Sequence, residues 1–379
     1  MRSSNSVTDV FEHRAADFGP TEEQQMLLDA TRGLFKRSLK FDSRPRNAAQ
    51  WYDPNLQLKL AELGLLALSL ATEGTGDGHI SDAGLVAEEV GRRLAPVAFA
   101  ETIAVAPLLG AALQQDPPEH GATQLKQTLS AIVGGTAVVA LASAPASTPQ
   151  VLPGGAVASH AVFLDGDQLV LVPLETSDVS QIATLGSVSA ARWIPRSLGA
   201  DAAIIAVGEQ ARYLYAHAVE RWHTLAAAQL VGLADRALRA SADYVQHRYT
   251  RGVAIGALQA IAHPLADVHV AIESARNLVR KAAWYADNEP QERPELPIQA
   301  LGTAIRASRE ASVTTVHVQG GYGLSLESEV AFIFGKINAL AHLAGRTDAL
   351  DVQTGRLMFE RLARSSSTSK EGANGLLPL

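Results

Sequence analysis

The sequence predicts a mainly α protein with a small β domain (α+β). An N-terminal helical domain covers residues 1–131 and a reduced, β-barrel-like middle domain covers 132–207. A C-terminal four-helix bundle covers 208–364 and a mobile tail 365–379. Three observations carry this reading. Apolar residues recur at helical spacing in the first third and again from about Glu209 onward. The stretch between them is short and rich in β-branched residues, Pro, Gly and Ser. The composition, 47% hydrophobic and only 19% charged over 379 residues, fits a helix-rich globular chain with a large core.

In chain order, "PTEEQQMLLDATRGLFKRSL" predicts a helix with an acidic first turn and an apolar face of Met26, Leu27, Leu34 and Phe35. Leu56, Leu60 and Leu63 mark a second helix. "LATEGTGDGHISDAG" reads as a glycine-rich loop, and "SDAGLVAEEVGRRLAP" as a capped helix stopped at Pro96. "TAVVALAS" and "HAVFLDGDQLVLVPL" read as strands, with Asp165-Gly166 between two apolar runs as a hairpin signal. Beyond them, Leu230, Leu233, Ala237, Leu238, Ser241 and Val245 form one helical stripe, with Asp235, Arg236 and Arg239 off it. Leu265, Val268, Ile272, Ala275 and Val279 form a second stripe, and Ile298, Leu301 and Ile305 begin a third. Helices of this length pack as an antiparallel bundle. "RSSSTSKEGANG" reads as the mobile tail.

Several functions are excluded at this level. The absence of cysteine removes disulfides, thiolate metal sites and a cysteine nucleophile. A net charge of -7 gives no footprint for nucleic acid. No apolar run is long enough for a membrane span, and the polar N-terminus carries no signal core, so a cytoplasmic protein is expected.

The residues that suggest chemistry lie in the last third. Arg248 could pair with a pyrophosphate. Thr250 and Gln259 follow it in "HRYTRGVAIGALQAIAHPLADVHV". Gln319 precedes Gly320 and Gly321 in "QGGYG"; its amide could bond an adenine or ribose edge. The two glycines let backbone approach a phosphate-bearing ligand. On their own Gly320 and Gly321 also read as a helix C-cap. The turn follows no strand, so a Rossmann reading is disfavoured.

Together these segments resemble the acyl-CoA dehydrogenases. Arg248, Thr250, Gly252, Gln259, His263, Leu265, Ala266 and Asp267 match the family's Arg-x-x-Phe-Gly, Gln and His-x-Leu-Ala-Asp positions. "QGGYG" is similar to its glycine turn, and "LVAEEVGRRLAP" to its N-terminal domain. The resemblance covers about Phe18 to Leu362. It implies FAD at a subunit interface. The isoalloxazine ring would lie against the β domain of one subunit, and the ADP half against the neighbour's Arg248, Thr250, Gln259, Gln319, Gly320 and Gly321.

Against that pattern, no catalytic residue is found. The family removes an α-proton with a carboxylate, and the position of its usual Glu holds Ala344. The alternative position on the first bundle helix holds Trp222, and Glu220, two residues away, faces elsewhere. The acidic loop that lines the flavin is replaced by "ASAPASTPQVLPGG". The family's Arg-Asp pair reads Gly335-Lys336, and its phenylalanine before Gly252 reads Arg251.

The expectation is a non-catalytic subunit of a hetero-oligomeric acyl-CoA dehydrogenase, completing the FAD site of a homologous catalytic partner. It resembles the α2β2 heterotetramers of bacterial steroid side-chain degradation, which implies a steroid side-chain CoA ester as substrate. Two alternatives stand beside it. One is an active homo-oligomeric dehydrogenase with a displaced base, Glu220, Glu327 or Glu329. The other is a flavin-free structural or regulatory scaffold.

Overall fold

The computed structural model describes residues 18–39, 51–70, 78–114, 119–143, 148–175, 179–194 and 202–373; side chains are described as far as 364, except at 119 and 120. The N-terminal part holds α1 (Glu22–Ser38), α2 (Pro54–Glu62), α3 (Ile80–Arg92), α4 (Phe99–Leu113) and α5 (Glu119–Val133). Thr21 and Gln24 form a reciprocal capping box at the start of α1, which satisfies two otherwise orphaned N–H groups. The apolar face of α1 runs through Leu28, Leu34 and Phe35. Met26, expected on that face, is 72% exposed, and so is much of Leu63 beyond the end of α2.

The middle segment carries β1 (Val139–Leu141), β2 (Gln150–Pro153), β3 (His160–Asp165), β4 (Gln168–Pro173), β5 (Val179–Gln181), β6 (Ala190–Trp193) and β7 (Ala203–Val207). They form one sheet in the order β1-β3-β4-β7 and another in the order β2-β6-β5. The expected hairpin is β3–β4. Its register pairs Asp165 with Gln168, so the turn is centred on Gly166-Asp167, one residue later than read, with Gly166 at φ 62°. Phe163, Val170, Leu152 and Trp193 fill a small separate core. The barrel-like expectation does not hold: no closed barrel forms among the described residues. Strands of three to six residues leave both sheets with open edges, and closure needs a continuous, staggered ladder.

The C-terminal part begins with α6 (Gly208–His247), a 40-residue helix. A hairpin of β8 (Tyr249–Thr250) and β9 (Val253–Ala254) follows, then α7 (Gln259–Asn288), α8 (Leu296–Gln319), α9 (Glu329–Ala344) and α10 (Thr347–Ala373). The three apolar stripes read from the sequence are buried as expected, apart from the half-buried Leu238. Helix α10 packs along α8 as a fifth helix and continues to Ala373, inside the stretch read as tail.

Two local expectations change. The glycine-rich segment after Leu70 lies partly outside the described residues. Helix α3 is not capped from within its own sequence. The Asp287 carboxylate, at the far end of α7, accepts from Ile80 N at 2.7 Å, Ser81 N at 2.9 Å and Ser81 Oγ at 2.5 Å. Asp235, read as lying off the apolar stripe, is 3% exposed. It is tolerated there because Arg92 Nε and Arg239 Nε bind it at 2.6 and 2.8 Å and Arg276 stands at 3.4 Å.

Helices α3 and α6 cross backbone against backbone. A Cβ on Gly91 would run into the Gln229 carbonyl, and one on Gly232 into the Glu88 carbonyl. Gly232→Ala should therefore force the helices apart and destabilise the fold by at least about 2 kcal/mol, read as a fall in the urea midpoint. An unchanged midpoint would show that the crossing has slack.

Candidate functional site

The structure gathers the predicted ligand-binding positions at one end of the bundle. Arg248 is the C-cap of α6, Gln259 opens α7, and Gln319 closes α8. Val245, Leu265 and Val318 pack together beneath them, with Tyr244, Ile255 and Ile261 against that cluster. The Tyr244 and Tyr322 rings stack at 5.7 Å, joining the end of α6 to the glycine turn. Thr250 sits in the β8–β9 hairpin, whose corner residues Arg251 and Gly252 have φ of 47° and 85°. Arg251 thus occupies the first corner of a tight turn, a left-handed position unusual for a residue with a Cβ.

What these side chains offer differs. Arg248, Thr250 and Gln259 are exposed, and the Arg248 guanidinium has no ion-pair partner among the described residues. Gly320, at φ 61°, caps α8, and nothing lies within 4 Å of a Cβ built on it or on Gly321. The C-cap role and an open approach for a ligand therefore coexist. Gln319 is buried and committed: Nε2 donates to Ser241 Oγ at 3.2 Å, and Oε1 accepts from Ser328 Oγ at 3.1 Å. Its amide ties the turn to α6 and to the start of α9.

The positions read as lost base sites lie elsewhere: Trp222 reaches Glu101 in the seam between the β segment and the helices, and Ala344 ends α9. Trp222 and Ala344 are both buried in the main core. A small cavity of about 50 Å³ is lined there by Trp51, Glu101, Gly154, Gln229 and Lys336, among others. The Lys336 Nζ stands 5.8 Å from the Trp51 ring centroid. Burial pulls Lys336 down to about 8, with Glu101 opposing the shift. Burial pushes the Glu101 carboxyl up; its own backbone, Lys336 and the Trp222 indole oppose that. The walls close tightly. A Cβ on Gly154 would stand 2.8 Å from the Glu101 Cγ. Gly186 abuts the backbone of Gly335 and Lys336, and Trp51 N donates to the Ser187 carbonyl at 2.9 Å.

Sequence reading did not find Glu101, Lys336 and Trp51 as a group. One signal was available: Glu101 is the only charged residue in the helix FAETIAVAPLLGAAL. The acids kept as displaced bases do not meet in this seam. Glu329 is held by Arg236 at 2.5 and 3.0 Å. Glu220 pairs with His217 at 3.0 Å and lines another cavity. Glu327 is exposed on the turn before α9. Among the described residues no cluster of His, Asp and Glu could hold a metal ion, and no helix is long and apolar enough to cross a membrane.

Beside Trp222, burial holds His223 down to about 4 from its usual 6.5. A His with a depressed folded pKa stabilises the fold fully above the unfolded value and loses that contribution as pH falls toward the folded one. Stability should therefore decline between pH 6.5 and about 4, by on the order of 3 kcal/mol at most from this group. His223→Phe should flatten that window in urea titrations; a slope equal to that of the parent chain would assign the acid sensitivity to other groups.

Comparison with known proteins identifies both helical parts of the chain. The acyl-CoA dehydrogenase N-terminal domain model matches residues 21–128, and the C-terminal domain model matches residues 213–365. The acyl-CoA dehydrogenase IpdE2 of Mycobacterium tuberculosis is 28% identical over 335 residues, spanning 86% of this chain and 93% of its own. Acyl-CoA dehydrogenase FadE28 of the same organism is 23% identical over 87% of this chain and 95% of its own. Among solved structures, the ChsE4-ChsE5 complex from Mycobacterium tuberculosis contains a chain with TM-score 0.75 at 21% identity, covering 91% of this chain and 99% of that one. The Tcur3481-Tcur3483 steroid ACAD G363A variant gives 0.74 at 22%, covering 90% and 99%. With both flanking domains matched, this chain belongs to the acyl-CoA dehydrogenase family.

Proposed function

We propose that this chain is the non-catalytic subunit of a FAD-dependent acyl-CoA dehydrogenase, assembled with a homologous catalytic partner as an α2β2 heterotetramer. The assembly desaturates an acyl-CoA thioester at its α,β-bond. The observation that carries the reading is the closed seam. Its cavity of about 50 Å³ is far below the roughly 300 Å³ at which small-molecule sites begin. The usual base positions hold a buried indole, Trp222, and a buried methyl group, Ala344.

The open end of the bundle fits the other half of the cofactor. Arg248 supplies an unpaired guanidinium for a pyrophosphate, Thr250 and Gln259 supply polar groups beside it, and Gly320 and Gly321 admit it to the backbone. Gln319 serves there by holding the glycine turn. The flavin's own chemistry is acceptance of the substrate's β-hydride, and the α-proton goes to a carboxylate of the partner. The same end presents Tyr249, Val253, Leu258, Leu324 and Leu326 to solvent, each more than 40% exposed. That apolar ring around the ligand positions suits burial against a subunit. A steroid side-chain CoA ester is the substrate we favour, because similar folds occur in a steroid ACAD. The committed Gln319 amide favours a second reading, a flavin-free scaffold.

The flavin-to-protein ratio of the chain alone, and then of the complex with its partner, separates these readings. A colourless lone chain and a complex with one FAD per heterodimer support the half-site. A yellow lone chain with one FAD per subunit overturns it, and a flavin-free complex selects the scaffold. In the complex, Arg248→Ala should remove about 2 kcal/mol of FAD binding, roughly 30-fold in affinity, with the helical circular-dichroism signal unchanged. Full flavin retention by that variant would remove Arg248 from the site. Ala344→Glu in the lone chain should yield no turnover of acyl-CoA, and substantial turnover would refute the closed-seam reading.

A further inference from the structure

A cavity of about 400 Å³ lies on the opposite side of α6 from the seam. Its walls come from α4, α6, the end of α7, the α7–α8 connection and the residues around the start of α3, with no strand residue among them. Leu70, Pro107, Ala111, Leu214 and Pro297 give it apolar walls, Tyr213 and Tyr285 add ring faces, and polar and charged side chains make up much of the rest.

The charged groups on these walls are engaged, with one exception. Asp287 is bound to the first turn of α3. His217 and Glu220 pair at 3.0 Å. Arg293 donates to Glu295 at 2.7 Å and covers the Tyr285 ring. Arg221 is left over. It is half-buried, and it has no hydrogen bond and no acid within 4 Å among the described residues. Burial pulls its guanidinium below the ordinary range, and Glu220, Tyr213 and Asp287 only oppose that shift at a distance. A partly desolvated cation whose donors are unused among the described residues gains from an anion that reaches it in the cavity.

We propose that this cavity binds a small carboxylate with an apolar body, its carboxylate on Arg221 and its body against the proline, alanine and tyrosine walls. The planar fork of a guanidinium suits a carboxylate's two oxygens. Glu220 and Asp287, close by, disfavour a more highly charged phosphate. The site is independent of the bundle end and of the seam, since none of its walls belongs to either.

The test is isothermal titration of the full chain with 2-naphthoate, its neutral analogue 2-naphthamide, and inorganic phosphate. Naphthoate should bind saturably and at least about tenfold more tightly than the amide, because the charge-assisted pair contributes more than one decade of affinity. Phosphate should not displace it. Arg221→Gln should abolish the preference for the acid while leaving the amide's affinity unchanged. Ala111→Phe, which fills the cavity from α4 without touching a charge, should weaken both. Equal binding of acid and amide by the parent chain overturns the proposal, as does the absence of naphthoate saturation by about 10 mM, displacement by phosphate, or acid preference in Arg221→Gln. Should Arg221→Gln fail to fold, the acid-to-amide ratio of the parent chain and the Ala111→Phe variant decide alone.

Discussion

The crossing of α3 and α6 sets the position of everything else in this molecule. Two glycines, Gly91 and Gly232, bring the helix backbones into contact, and a network of charges surrounds the contact. Arg92 binds Glu88, Glu89 and Asp235; Arg276 binds Glu88, Glu273 and Asp235. Burial raises the free energy of each of these ions. The surrounding counter-charges more than offset that for Glu89 and Asp235, which are held below the usual carboxylate range. Such a network adds little net stability compared with an apolar interface, but removing one member strands its partners, at about 3–5 kcal/mol. It therefore fixes register more than it adds stability: the helices can slide only by leaving several charges unpaired at once.

Because α6 is 40 residues long, fixing its middle fixes both of its ends. Near one end, Tyr215 donates to the Ala142 carbonyl at 2.7 Å, docking the β segment. At the other, Arg248 and the stacked Tyr244 define the open bundle end. Trp222 faces the seam, and Glu220 and Arg221 face the opposite cavity, within three consecutive residues. One helix thus carries a closed surface, an open ligand edge and an unrelated pocket on different faces, as a 3.6-residue repeat allows.

Much of this was legible in the sequence where local pattern and final environment agree. The stripe Leu230, Leu233, Ala237, Val245 is apolar at helical spacing and is buried. Gly320 ends a helix and does so at positive φ. Where the sequence misled, the cause was a long-range partner. Asp235 looks like a solvent residue until Arg92 and Arg276 arrive from other helices. The cap of α3 comes from Asp287, more than two hundred residues away in sequence, and no window around Ser81 contains it. Gln319 reads as a free amide because Ser241 and Ser328 meet it only after the bundle closes. Glu101 and Lys336 face one cavity from α4 and α9, a proximity that neither segment encodes locally.

The same logic bears on how the two halves of the proposed cofactor site diverge. A ring-binding seam needs volume and an ionised base. Here the volume is closed by the Glu101 side chain against Gly154 and by the backbone of Gly335 and Lys336 against Gly186, and burial raises the pKa of Glu101 and lowers that of Lys336. Reopening such a seam would require retracting backbone at Gly186 as well as shortening the side chain at Glu101, because no smaller residue exists to place at either glycine. The bundle end has the reverse character. Its exposed donors stand on a rigid, buried base of Val245, Leu265 and Val318, so ordering them against a neighbour's ligand sacrifices little conformational freedom. Rigidity at the open end and closure of the seam are the features on which the proposed division of labour rests, with this subunit presenting a surface and its partner performing the chemistry.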